Sequence, residues 1–190
     1  MLYINDRLQE LDLEASLPLL SEQRREQVLR FRHEQGRREC CAAYLLLCEG
    51  LQKEYGITEK PVFVYGEHGK PAIKGHPEIH FNMSHCREAA ICVVSDKPVG
   101  VDVERVRTLN EGLMRYTMND QEQAEILSAY SPDLAFTMLW TRKEAALKCL
   151  GVGINDELKT ILANPTLEIT TEIGPKGRYV FSICNDVITI

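Results

Sequence analysis

The sequence predicts an α+β chain of two similar halves. Three observations carry that expectation. Helical segments precede strand segments, and that order comes twice. The strand segments alternate in period two or run continuously apolar. The chain has 190 residues, enough for a real core in one domain or in two small lobes.

Taken in order, Leu2-Tyr3-Ile4 is a short strand. Ser21 caps a first helix that includes Val28, Leu29 and Phe31. After Gly36 a second helix carries Cys40, Ala43, Tyr44, Leu47 and Leu51 at helical spacing, and Gly56 ends it. Pro61-Val62-Phe63-Val64-Tyr65 reads as a strand, and Gly66 to Pro71 as a turn or loop. Ile79 to Met83 alternates, Ala89 to Val94 is continuously apolar, and Val99 to Glu104 alternates again. Asn119 with Glu122 makes a capping box for a helix through Leu127. Ser131 and Pro132 are the N-cap and first residue of the next helix, which Gly151 stops. Strands at Leu167 to Thr171, Tyr179 to Ile183 and Val187 to Ile190 complete the chain, with a turn at Gly174 to Gly177.

Composition excludes several classes. Hydrophobic residues at 44% and charged residues at 26% are those of a soluble globular protein. No apolar run has the length of a membrane span, and no basic segment leads into an apolar one at Met1 to Asp6, so a cytoplasmic protein with no membrane association is expected. A net charge of −6 argues against nucleic acid as a partner. The seven cysteines form no Cys-x-x-Cys pair, so a zinc site is not indicated. Cys86, after a Ser-His pair, is the only cysteine outside an apolar setting.

Charged and polar candidates gather in five places. Glu144 and Lys148 are four apart on one helix face, which by itself describes a surface pair worth a few tenths of a kcal/mol. Asp102 and Glu104 point to one side of a strand while Val101 and Val103 take the other. That side is either wet, as in many antiparallel sheets, or holds a divalent cation such as Mg²⁺. Six arginines between Arg24 and Arg38 form either a solvated helix face or a pocket for a compact anion. Ser84-His85 ends a strand, and Lys70 lies in a Gly-Lys-Pro turn.

The residues Phe81-Asn82-Met83-Ser84-His85, then Gly100-Val101-Asp102-Val103-Glu104, then Trp140-Thr141-Arg142-Lys143-Glu144-Ala145-Ala146-Leu147-Lys148 resemble, in order and separation, the 4′-phosphopantetheinyl transferases of the surfactin-synthetase-activating (Sfp) type. The signature is Gly-[Val/Ile]-Asp-x-Glu followed by Trp-x-x-Lys-Glu-x-x-x-Lys, and both parts are present. The likeness runs from about Ser21 to Gly153.

That resemblance implies a fold of two α/β lobes related by a pseudo-twofold, with the active site at their interface. Residues 1–98 would form the lobe that contacts the coenzyme A nucleotide, and 99–190 the lobe with the metal-binding acids and carrier contacts. It implies transfer of the 4′-phosphopantetheine arm of coenzyme A to a serine of an apo acyl or peptidyl carrier protein, with Mg²⁺ or Mn²⁺, releasing adenosine 3′,5′-bisphosphate. Asp102, Glu104 and Glu144 match the metal-binding acids. Lys148 and His85 match groups on the pyrophosphate, and Ser84 and Lys70 match contacts along the nucleotide. Arg24 and Arg38 match basic residues for the 3′-phosphate. Glu144 is the expected base for the serine proton, and a monomer is expected. Tyr116 to Asp120 departs from the family pattern, with Asp120 where Glu is common. Two alternatives use the same residues: another Mg²⁺-dependent phosphoryl-transfer enzyme, or a non-catalytic module that binds coenzyme A or a carrier protein.

Overall fold

The computed structural model describes residues 1–153 and 156–187. In chain order its elements are β1 (Leu2–Asn5), α1 (Leu13–Ser16), α2 (Glu22–Arg30), α3 (Glu34–Tyr55), β2 (Phe63–Tyr65), β3 (Pro71–Ile73), β4 (His80–His85) and β5 (Ala90–Ser95). There follow β6 (Val99–Arg105), α4 (Glu111–Thr117), α5 (Asp120–Ser128), α6 (Pro132–Leu150), β7 (Leu167–Ile173) and β8 (Tyr179–Asp186). The result is the expected α+β architecture of two lobes. None of the described helices is long and apolar enough to cross a membrane.

Each lobe is an antiparallel sheet carrying one long helix. The first sheet has the order β1-β5-β4, the second β6-β8-β7. Period two divides β5 between two cores. Ala90, Cys92 and Val94 pack under α3, with Tyr44, Leu47 and Leu51. Ala89, Ile91 and Val93 meet Val99, Val101 and Val103 of β6 and Phe181 of β8, so the two sheets pack against each other. On the far side of the second sheet, Ala145, Ala146, Leu147 and Cys149 of α6 cover Cys184. The order from one surface to the other is therefore α3, sheet, sheet, α6.

β6 is buried on both faces, because α6 lies on the side that alternation left for solvent. Its burial begins at Val99 and runs through Val103. The contact is close at Gly100. A Cβ there would fall against Ala145 O, Cys149 N and Cys149 Cα, all of them backbone. Backbone in a helix does not yield as a side chain does. Gly100→Ala is expected to lift α6 off the sheet and cost about 1–3 kcal/mol or more. For a chain of this size that is a fall of roughly 2–4 °C in Tm per kcal/mol, read by thermal melting. An unchanged Tm would show that helix and sheet can part without cost.

Local signals placed most boundaries. Ser21 accepts from Arg24 N at 3.4 Å to cap α2. Asn119 and Glu122 form the capping box of α5. Ser131 caps α6, Pro132 opens it, and Gly151 closes it in the left-handed conformation at φ 71°. Other expectations are corrected. α3 begins at Glu34, so Gly36 lies inside its first turn. Gly36 serves packing there: a Cβ would meet the Phe31 ring at 2.8 Å. β3, which begins at Pro71, the last residue of the expected loop, pairs with β2. α4, capped by Asn110, was not anticipated. β8 continues to Asp186, and Val187 is a bend; the remainder of the strand expected at Val187 to Ile190 lies outside the described residues.

Candidate active site

The two lobes meet along β4 and β6, each an edge strand of its own sheet. Side chains of β4 bridge the gap. Asn82 Oδ1 accepts from Val101 N at 2.9 Å, and Ser84 Oγ accepts from Val103 N at 3.2 Å. Both donors are edge amides of β6 that would otherwise be buried without a partner. The Asn-x-Ser spacing is thus the spacing of alternate amides on the facing strand.

Asp102 sits at this seam, 4% exposed. Its Oδ1 accepts from Ser84 Oγ at 3.0 Å and from Lys148 Nζ at 2.6 Å. Lys148 Nζ also lies 3.3 Å from Ser84 Oγ. Lys148 therefore turns across to β6, and the four-residue spacing from Glu144 does not describe a surface ion pair. Two carboxylate oxygens, Asp102 Oδ2 and Glu144 Oε1, are buried and find no hydrogen-bond partner among the described residues. Burial, then the negative charges of Asp102 and Glu104, hold the Glu144 carboxyl above the usual glutamate range, while Lys148 opposes them. The repulsion itself places Glu144 within electrostatic reach of both acids.

Glu104 takes a different partner, Arg107, at 2.9 Å. Among the described residues no three acidic, histidine or cysteine side chains converge as a ready-made metal cage. The donor set nonetheless fits a hard divalent cation. Mg²⁺ ordinarily takes one or two carboxylates and fills its shell with water and phosphate oxygen. Asp102 and Glu144 each keep one buried oxygen free of protein donors.

Glu144 and Lys148 open onto a cleft of about 280 Å³, whose wall also includes His68, Lys70, Asn82, Met83 and Gly151. Lys70 shapes this wall from within. Its Nζ donates to Cys149 O at 2.8 Å and to Val99 O at 3.2 Å, closing the C-terminus of α6 onto the start of β6. Burial lowers its pKa from the ordinary lysine value. On the other side of the acids, Glu104 and Trp140 line a second cavity of about 370 Å³ with Arg105, Arg107, Leu113 and Phe136.

The remaining candidates stand apart from this group. His85 is two residues beyond Met83 on β4, with Nδ1 3.4 Å from Glu39 Oε2 and its ring edge-on to Phe31. Arg24 is 8% exposed, its guanidinium over the rings of Tyr44 and Phe63. Arg38 pairs with Glu34 at 2.7 Å, and Arg37 donates to Phe31 O. Arg24, Arg37 and Arg38 thus point into core, turn and helix face, and Arg24 Nε and Arg38 Nε are buried without a hydrogen-bond partner among the described residues. Cys86 is buried, and burial pushes its thiol pKa up, the reverse of an activated nucleophile.

Sequence reasoning missed Asn82 as the bridge between lobes and Lys143 as a structural cation. Lys143 is fully buried, 2.8 Å from Glu122 Oε2, and donates to Leu158 O at 2.7 Å. It shares a face of α6 with Leu139 and Ala146. A lysine falling in phase with that apolar stripe was the available signal. The carboxylate facing it belongs to Glu122, two residues beyond the Asp120 position that departs from the family pattern.

The class of protein is thus a two-lobed α+β chain whose lobe junction sets a buried acid, a half-buried acid and a lysine beside an open cleft. The model of the 4′-phosphopantetheinyl transferase superfamily matches residues 98–184, from the start of β6 into β8. The 4′-phosphopantetheinyl transferase Sfp of Bacillus subtilis (strain 168) is 25% identical over 157 residues, covering 81% of this chain and 70% of that protein. Another 4′-phosphopantetheinyl transferase of Bacillus subtilis is 30% identical over 140 residues, 72% of this chain and 62% of that protein. The 4′-phosphopantetheinyl transferase AcpT of Salmonella typhi is 37% identical over 127 residues, 60% of this chain and 66% of that protein. The chain belongs to the 4′-phosphopantetheinyl transferase superfamily, and is an enzyme of the transferase class.

Proposed function

We propose that the protein transfers the 4′-phosphopantetheine arm of coenzyme A to a serine hydroxyl of an apo acyl or peptidyl carrier protein. The observation that carries this reading is the buried knot of Asp102, Ser84 and Lys148 beside the unpartnered carboxylate of Glu144, at the mouth of the cleft. In the reaction the serine oxygen attacks the phosphorus that bears the pantetheine arm. The bond from that phosphorus to the bridging oxygen breaks, and adenosine 3′,5′-bisphosphate leaves.

Catalysis of this kind is mostly positioning and charge neutralisation. Asp102, Glu104 and Glu144 would hold a Mg²⁺ or Mn²⁺ ion, which supplies charge neutralisation at the pyrophosphate. Lys148 binds a phosphate oxygen with an ammonium anchored one helical turn from Glu144. The Glu144 carboxylate accepts the serine proton. Lys70, with two of its three donors committed to backbone carbonyls, keeps the wall of the cleft in place and has one donor left for the nucleotide. Ser84 bridges the lobes and orients Asp102. His85 lies one step further along the face of β4 that Met83 presents to the cleft, and is assigned to the phosphates. Arg24, enclosed by aromatic rings, belongs to the fold of the first lobe, and Arg38, half-buried on α3 and paired with Glu34, keeps a buried Nε without a partner among the described residues. The lobe boundary lies between β5 and β6, and the cavity beside Trp140 faces the carrier protein. A cytoplasmic monomer completes the reading.

The test is direct. Purified protein, coenzyme A, Mg²⁺ and an apo-carrier are incubated, and the intact mass of the carrier is measured. The expected result is a mass increase of one phosphopantetheine group on the carrier serine. No increase with any of several acyl and peptidyl carriers would overturn the reading.

A further inference from the structure

Lys148 does not stand free in the cleft. Its Nζ is 2.6 Å from Asp102 Oδ1 and 3.3 Å from Ser84 Oγ. Ser84 is itself fixed, because its Oγ accepts from Val103 N. The pair sits at a protected place: the Asp102 side chain is 6% exposed and the Lys148 side chain 30%. There an ammonium and a carboxylate attract more strongly than in bulk water. Glu144, one turn away on the same helix, leaves Oε1 without a partner although Lys148 is within its reach by sequence. The lysine has chosen Asp102 over Glu144.

That choice conflicts with the roles assigned above. Asp102 is needed for a divalent cation and keeps only Oδ2 free for it, Lys148 is needed for a phosphate oxygen, and the ammonium held on Oδ1 repels a cation arriving at Oδ2. A divalent cation approaching Asp102 meets an ammonium bound to the same carboxylate. The lysine stem has four methylenes and a rotatable head, so Nζ can leave Asp102 while its backbone stays in α6. What draws it away is an anion in the cleft, which Lys148 already lines.

We propose that Lys148 is an internal cation that occupies Asp102 until a phosphate ester takes its ammonium, so that divalent cation and coenzyme A bind as a unit and neither binds well alone. This rests on the transferase reading of the cleft, and adds to it a coupling between the two ligands. Coupling of this kind is reciprocal: the factor by which one ligand tightens the other is the same in both directions. A site that is open a tenth of the time binds its ligand about tenfold more weakly than an open one.

The experiment measures Mn²⁺ binding by electron paramagnetic resonance of the free ion, with and without coenzyme A. It uses the whole chain as wild type, Lys148→Met and Lys148→Arg. Wild type is expected to bind Mn²⁺ weakly alone and at least about tenfold more tightly with coenzyme A. Lys148→Met, which removes the competing charge at similar volume, is expected to bind Mn²⁺ alone about tenfold more tightly than wild type and to lose most of the coupling. Lys148→Arg keeps a cation on Asp102 and is expected to stay as weak as wild type without coenzyme A. Lys148→Met binding Mn²⁺ no better than wild type overturns the proposal, and so does Lys148→Arg binding as tightly as Lys148→Met. Phosphopantetheine transfer by wild type with no Mn²⁺–coenzyme A coupling overturns this proposal and leaves the transferase reading intact. Coupling without transfer to any carrier does the opposite.

Discussion

Glu144→Gln is expected to lose transfer by at least about 10²-fold, the scale on which removing one precisely placed charged group acts in an active site. The same variant is expected to melt a few degrees higher than wild type at neutral pH. The two effects have one cause. Burial and the neighbouring charges of Asp102 and Glu104 hold the Glu144 carboxyl above its ordinary range in the folded protein, despite Lys148. Between the ordinary and the raised value, the folded state binds a proton that the unfolded chain has released. Stability therefore rises as pH falls through the raised value, and the ionised carboxylate is a cost above it. Glutamine keeps the shape and removes that cost, so its advantage over wild type is largest at neutral and alkaline pH. The advantage disappears once pH falls below the ordinary glutamate range, where both chains hold the proton. Thermal melts at stepped pH, run beside the carrier mass assay, check both halves. Full-rate transfer by Glu144→Gln would sink the role assigned to this carboxylate, and a lower Tm at every pH would sink the account of its strain. Strain stored at a catalytic group and released by its removal is a common trade between stability and activity.

The fold was legible where local chemistry acts alone. Asn119, Ser131, Pro132 and Gly151 marked helix ends by hydrogen bonding and backbone conformation within a few residues, and the structure keeps them. Alternation in Val99 to Glu104 assigned the faces of β6 correctly, but not what covers the second face. That depends on α6, some forty residues further along, and on Gly100 letting it approach. The site divides in the same way. The residues Asp102, Glu144 and Lys148 were identified by spacing and resemblance, whereas their pairing was not. Spacing within one helix suggested Glu144 with Lys148; the lysine instead crosses to another element and a more buried carboxylate. Arg24, Arg37 and Arg38 diverge, because density along a chain is not convergence in space. Successive helical positions point in different directions, and two of these side chains were already committed to Tyr44 and Phe63 in one case and to Phe31 O in the other. Asn82 was named only as part of a motif, since its task is to serve a backbone amide on a strand it does not pair with.

Lys143 carries the second large expected effect. Its ammonium is 2.8 Å from Glu122 of α5 and 2.7 Å from Leu158 O, so one buried cation ties α5, α6 and the segment before β7 together. Burial lowers its pKa from the usual lysine value, and Glu122 works against that shift. Removing only one partner leaves the other charge buried and unpaired. Glu122→Ala and Lys143→Ala are each expected to cost about 3–5 kcal/mol, far more than an exposed pair could. At roughly 2–4 °C per kcal/mol, either variant should melt on the order of ten degrees lower. Glu122 also closes the capping box on Asn119 N at 2.8 Å, so Glu122→Ala adds the loss of a cap. The double variant Lys143→Met with Glu122→Gln separates the two contributions: it removes both charges, keeps the volume, and retains an amide that can still reach Asn119 N. It should recover most of the loss, because the penalty lies in the unpaired charge more than in the missing attraction. Denaturant unfolding of Glu122→Gln, Lys143→Met and their double closes the cycle. A double variant as unstable as the sum of the singles would show that the ion pair contributes no coupling. A recovered Tm with unaltered transfer would place Lys143 in the scaffold that holds Glu144, the next residue on α6.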